Sequence, residues 1–488
     1  RLGRLLSITD IDLHAEEMTG EDMDIDTVVE IFNKVNSGGT KLSKGDLALA
    51  KICAGWPEAR DRMKERLKGW NEHGYDFDLD WLLRNVNTVL TGEAKFLHLH
   101  DKSSEEVEDA LIRAGKRIDE VLNMIAGRLG LDHDRVLFGK YAFPVMTHLL
   151  DRLDKPLEQR DADRLIFWFV QSGMWGRFSN STESSLDKDL GLIENSTDSV
   201  SALIESLRLW HGSLLVEPEH FAGWSLGARF YPVLYMLTRM TGGRDLLNGL
   251  PLKANMLGKH SRLEVHHIFP KSLLYDEGYV RSEVNAIGNY CFLTKESNLA
   301  ISNRLPAEYL PEIEARHPGV LASQLIPEDP ALWDLARYPE FLEARRSLLA
   351  DATNALMREL LHGDLAALGP ADQVIKSVPE PMEAPIGGIT SEDEERVLEE
   401  LNAWAEAQGF ARGEIMHELS NEATGLPEAL LDLAWPTGLQ EHLSEPVAVL
   451  IDETPDVLRV ASRHGYRCFT TVEGFHTYVD TIGQVEAA

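Results

Sequence analysis

Between Leu263 and Leu305 the chain reads LEVHHIFPKSLLYDEGYVRSEVNAIGNYCFLTKESNLAISNRL. Two adjacent histidines, His266 and His267, stand before Ile268-Phe269-Pro270, and asparagines follow at Asn285, Asn289, Asn298 and Asn303. These residue types suit phosphodiester hydrolysis. That reaction needs a base for water, a metal to stabilise charge on the phosphate and leaving oxygen, and groups that fix both. A histidine serves as base because its unperturbed pKa is near neutrality. A neighbouring histidine and a later asparagine oxygen can together hold one divalent ion. In an extended strand His266 and His267 point to opposite faces, so both serve one centre only if the backbone turns there, which Pro270 helps allow. EVNAIGNYCFL reads as a second strand, and SNLAISNRL as the start of a helix capped by Thr294 or Ser297. Asn285 and Asn303 read as turn or cap residues.

The blocks EVHHIFPKS and AIGNYCFLTKESNLAISNRL resemble the HNH nuclease domain of the GmrSD-like family of modification-dependent restriction proteins. In that family a histidine before I-x-P is followed by I-G-N and then by a second motif asparagine. The resemblance implies a ββα-metal fold with His267 as general base and His266 as metal ligand. It implies that Asn289 orients the base or the strand, and that Asn298 is the other ligand to one Mg2+ or Mn2+. The commoner family pattern has an acidic residue where His266 stands; histidine is an acceptable ligand, and Glu264 is a nearby candidate for a supporting role. Arg262, Lys271, Arg281, Lys295 and Arg304 give the segment a basic surround, with Lys271, Lys295 and Arg304 as DNA-binding candidates.

The rest of the chain must position these groups. Its 488 residues predict two to four domains. The net charge of -32 and pI near 4.9 match a phosphate polymer poorly overall, although charge acts locally. The acidic remainder either limits unspecific DNA binding or merely aids solubility. Cys53, Cys291 and Cys468 are far apart, so no CxxC zinc staple is expected, and free thiols suit the cytoplasm. No run reaches membrane-spanning length, and no secretory signal opens the chain.

The expected fold is mostly α and multidomain: a helical body with an embedded ββα-metal unit and a small C-terminal α/β domain. Residues 1–56 read as the C-terminal remnant of a ParB/sulfiredoxin-like sensor domain, because EIFNKVNSGGTKLSKGDL also resembles the GmrSD-like family. Its D-G-Q-Q-R motif is absent and would lie upstream of Arg1, and there is no P-loop. No nucleotide hydrolysis is therefore expected, and a nucleotide effector would act only through that missing front. Residues 57–250 read as a helical domain, with Trp168, Trp175 and Trp210 in its core. There the turn from Arg177 to Ser181 is a candidate phosphate contact, and His98 and His100 are structural. Residues 251–368 hold the HNH segment, followed by amphipathic helix in which Phe341, Leu342, Leu348 and Leu349 share a buried face. A proline-rich linker spans 369–392. Residues 393–488 read as a small α/β domain, with PVAVLID and RCFTTV as buried strands around the helix DVLRVASRHG. Its stretch LLDLAWPTGL resembles a worn restriction-endonuclease fold with Asp432 as first acid. The following Asp452-Glu453-Thr454 lacks the lysine, so a docking or recognition module is expected there.

The expected function is metal-dependent HNH cleavage of DNA in defence against phage or modified foreign DNA. The alternative is a non-catalytic DNA-binding or regulatory scaffold with an inactive HNH fold. No membrane partner is expected.

Overall fold

The structure, a computed structural model, describes residues 44–96, 99, 102–153, 155–179, 182–223, 228–252, 263–363, 387–389, 392–420, 427–439, 445–451 and 453–487. The readings of residues 1–43, His98, His100, Arg262 and most of the linker fall outside them.

The protein is mostly helical and multidomain, with only small sheets. Its body begins with α1 (Lys44–Gly55), α2 (Ala59–Asn71), α3 (Leu79–Thr91) and α4 (Ser104–Leu129). Helix α3 is capped by Asp78, whose side chain accepts from Trp81 N, and ends at Gly92 with φ 74°. It is buried on nearly every side, so its polar residues need partners within the protein. Asn87 Nδ2 donates to the carbonyls of Glu93 (2.7 Å) and Lys95 (3.0 Å), and Thr147 Oγ1 donates to Asn85 Oδ1 (3.1 Å). Helix α4 opens with a capping box between Ser103 and Glu106. Its stripe of Val107, Leu111, Ile118, Leu122, Ile125 and Leu129 faces the core.

The body continues through α5 (Ala142–Arg152), α6 (Gln159–Met174), α7 (Thr182–Asn195), α8 (Ser199–His211) and α9 (Tyr231–Met240). Phe143, Phe167, Trp168 and Phe169 are completely buried, each contributing about 1.5–3 kcal/mol over an exposed position. Trp175 is also buried, but Trp210 lies half-exposed beneath the Arg177 guanidinium, correcting its expected place in the core. Arg177, part of the turn read as a candidate phosphate contact, is buried in a two-pronged ion pair with Asp189 (2.7 and 3.2 Å) and bonds Ser206, so its guanidinium is committed inside the fold. Its charge is needed to satisfy a buried carboxylate that would otherwise stand alone.

After this body come β1 (Glu264–His267), α10 (Lys271–Asp276), α11 (Arg281–Val284), β2 (Tyr290–Leu293) and α12 (Lys295–Ile301). Strands β1 and β2 pair antiparallel, with His266 opposite Cys291 and His267 opposite Tyr290. The predicted second strand is only its last four residues; before them lie α11 and a 3-10 turn at Ile287–Asn289. Helices α13 (Pro306–Arg316), α14 (Val320–Ser323) and α15 (Tyr338–Leu361) wrap the unit. On α15, Phe341, Leu342 and Leu349 are buried as predicted, but Leu348 is 38% exposed. Tyr290, Phe292, Leu349, Met357 and Leu360 belong to the core of the helical body, while Ile268, Phe269, Cys291, Tyr309 and Phe341 form a second core. The outer edge of β2 is met by side chains. Gln324 Oε1 accepts from Phe292 N (3.0 Å) while its Nε2 donates to Phe292 O (2.8 Å), and buried Arg345 donates to Tyr290 O (2.8 Å).

The C-terminal unit comprises α16 (Glu392–Ala407), β3 (Glu414–Ser420), β4 (Pro427–Trp435), β5 (Val447–Val449), α17 (Pro455–Arg463), β6 (Arg467–Phe469) and α18 (Val472–Ala487). The sheet order is β3-β4-β5-β6, antiparallel except for the parallel β5–β6 pair. Helix α17 forms the crossover that such a parallel pair requires. Cores lie on both faces of the sheet. Among the described residues no helix is long and apolar enough to cross a membrane, and the three cysteines are free.

Candidate functional site

Pleating places His266 and His267 on opposite faces of β1, and the chain does not turn until after them. His266 is 4% exposed and faces α12, where its Nδ1 lies 2.8 Å from Asn298 Oδ1. Its Nε2 is buried without a hydrogen-bond partner. Burial pulls the imidazole's pKa down, opposed by the Asn298 bond and the Asp245 carboxylate. His266 is therefore a neutral ring.

His267 is half-buried on the other face. Its Nε2–H donates to Asn285 Oδ1 (3.0 Å), and the Tyr290 ring meets it edge-on at 4.9 Å. Burial, then the Lys271 ammonium, push its pKa down to about 3. In this arrangement Nδ1 carries the free lone pair. Asn285, read from sequence as a turn or cap residue, thus fixes the ring of the predicted base.

Asn289 is completely buried and serves the chain rather than either histidine. Its Oδ1 accepts from Phe269 N (2.8 Å), and its Nδ2 donates to the carbonyls of Phe269 and Val284 (both 3.0 Å). It pins the segment leaving β1 to the segment entering β2. It makes no hydrogen bond to His267. The preceding Gly288 lets α15 approach, since a Cβ there would lie 3.0 Å from Leu342 Cδ2.

Helix α12 starts at the expected place, but with a different cap. Thr294 has the N-cap backbone conformation, yet its side chain makes no capping bond. The helix start is instead held by Asp245, completely buried and far away in sequence. Asp245 accepts from Thr294 N (2.8 Å), Thr294 Oγ1 (2.9 Å) and Ser297 Oγ (2.6 Å). No local sequence signal marks this residue, because its partners lie about fifty positions downstream.

The basic candidates have separate fates. Lys271 Nζ pairs with Glu395 Oε1 on α16 (2.6 Å), and Arg304 pairs with Glu312 (2.9 Å). Lys295 is exposed on the first turn of α12. Glu264 is half-buried, and the Arg281 side chain falls outside the described ones.

A divalent ion fits between His266 and Asn298 on distance grounds. An ion with bonds of about 2.0–2.1 Å keeps adjacent ligands roughly 3 Å apart, near the 2.8 Å observed. Two lone-pair atoms that close repel unless a proton or cation lies between them. Among the described residues no three His, Cys, Asp or Glu side chains form a metal-binding group, so these two side chains would leave most coordination positions to water and substrate.

In the C-terminal unit, Asp432 is completely buried on β4, where its Oδ2 accepts from Ile451 N (2.7 Å). Burial first, and then the Glu453 carboxylate, raise its pKa far above the carboxylate range.

No family model matches the chain. The chain is 23% identical over 307 residues to an uncharacterized protein of Methanocaldococcus jannaschii, covering 59% of this chain and 50% of that protein. It therefore spans about half the length of the curated relative it matches.

Proposed function

We propose that the protein is a metal-dependent DNA endonuclease of the HNH type, acting within the cytoplasm against phage or other foreign DNA. The supporting observation is the meeting of His266 on β1 with Asn298 on α12 at 2.8 Å, behind a hairpin pinned by Asn289. His266 and Asn298 would hold one Mg2+ or Mn2+, which would supply positive charge to the phosphate and leaving oxygen. His267, kept neutral by burial and aimed by Asn285, is the base for the attacking water in this reading. The two rings lie on opposite strand faces, so β1 must turn between them when DNA binds. The burial that keeps it neutral also weakens it as a base; an anionic phosphate brought beside it restores proton affinity. Lys295 and, once parted from Glu395, Lys271 bind the DNA backbone.

A second reading is a non-catalytic DNA-binding or regulatory scaffold. It is favoured by the placement of His267 on the strand face opposite His266, with its Nε2–H already committed to Asn285.

Plasmid incubated with the protein and Mg2+, Mn2+ or chelator tests the first reading. Metal-dependent cutting is expected, lost in His266→Ala, His267→Ala and Asn298→Ala. Cutting at the parent rate by all three folded variants overturns the assignment to these residues, and no metal-dependent cutting by the parent itself favours the scaffold.

A further inference from the structure

We infer that Asp245 is the anionic support of the cation site, supplying the negative charge that its two ligands lack and fixing the helix that carries Asn298. The inference rests on the nuclease reading above. His266 and Asn298 are both uncharged, so together they bring no charge to a divalent ion. Asp245 is completely buried, outside the Leu263–Leu305 segment, and its carboxylate accepts five hydrogen bonds. Two come from the backbone of its own turn, Leu247 N (3.0 Å) and Asn248 N (3.1 Å). The other three come from Thr294 and Ser297. All five donors are neutral, so the carboxylate is solvated by the fold without having its charge cancelled. It grips the residue immediately before Asn298 and acts through space on the His266 ring. Such outer groups orient ligands and typically change metal affinity 10–100-fold when removed.

Manganese binding by the full chain, read by electron paramagnetic resonance of free Mn2+ and by metal-induced change in melting temperature, tests this without relying on cleavage. Asp245→Asn should weaken Mn2+ binding at least tenfold. Ser297→Ala keeps the charge while deleting one donor, and should lower the melting temperature yet leave Mn2+ affinity within about twofold, since the deleted bond belongs to the metal-free and metal-bound fold alike. Equal Mn2+ affinity in parent and folded Asp245→Asn overturns the inference and leaves the nuclease reading standing. Absence of Mn2+ binding by the parent itself overturns both the inference and the proposed metal site, a result distinct from the first. If Asp245→Asn does not fold, Asp245→Ser decides: a loss of Mn2+ affinity of tenfold or more supports the charge argument, and parent affinity overturns it.

Discussion

The β1–β2–α12 unit and the C-terminal sheet both bury ionisable side chains on short strands, but they satisfy them differently. In the first unit, each histidine meets an asparagine brought from another element: His266 with Asn298, His267 with Asn285. The rings stay neutral, and each keeps a lone pair available. In the second, buried Asp432 faces another carboxyl, Glu453, with a single backbone donor at Ile451 N. The cheapest way to hold two carboxyls together is to keep a proton on them. Neutral partners preserve reactive atoms; like-charged partners consume them. The difference explains why the central unit, rather than the sheet, is the candidate for chemistry.

The comparison breaks most directly through activity. His267→Ala should retain metal binding but lose roughly 10²–10⁴-fold in cleavage, the scale of a general base. Asp432→Asn should cut like the parent, as should a folded protein lacking residues 393–488. A plasmid assay that finds cleavage abolished by Asp432→Asn would transfer the chemistry to the sheet.

Next in size is the pin. Asn289→Ala leaves Phe269 N and two carbonyls buried without partners. A loss of roughly 1–3 kcal/mol or more is expected in denaturant unfolding. An unchanged midpoint would mean that the hairpin does not depend on Asn289.

The two regions should also answer pH in opposite directions. The unfolded chain protonates His267 near pH 6.5, whereas the folded chain resists until about 3. Acidification therefore favours unfolding: this contribution is full above about pH 6.5 and falls as pH drops towards 3. Asp432 is raised instead, so its contribution is full below the ordinary carboxylate range and falls as pH rises above it. Hydrogen exchange followed separately on β1 and β4 across pH should show protection moving oppositely; parallel trends would refute the assignment.

The smallest effect concerns the bond between the regions. Lys271 and Glu395 are both partly exposed, so Glu395→Gln should cost only about 0.2–1 kcal/mol. It should also tighten DNA binding at low salt by freeing Lys271, an effect that a fluorescence titration can detect or exclude.

Much of this was legible in the sequence, for identifiable reasons. The stripe of Val107 to Leu129 repeats at helical spacing, and strand alternation alone puts His266 and His267 on opposite faces. The start of α12 near Thr294 was also readable. The cap from Asp245 and the His267–Asn285 bond were not, because they join residues far apart in the chain. Arg177 looked like an exposed turn cation because nothing local reveals that Asp189 and Ser206 close over it. The shortness of β2 was hidden as well: the apolar run before it packs as helical turns, where Gly288 admits α15.

One consequence lies along the outer side of the hairpin. A two-stranded sheet normally leaves a row of unsatisfied amides and carbonyls that a strand from another molecule can adopt. Here the carboxamide of Gln324 takes both Phe292 backbone groups, and Arg345 takes the Tyr290 carbonyl. Two side chains stand in for a third strand, so this edge is closed to recruitment by a second chain and gives fibrillar association no template.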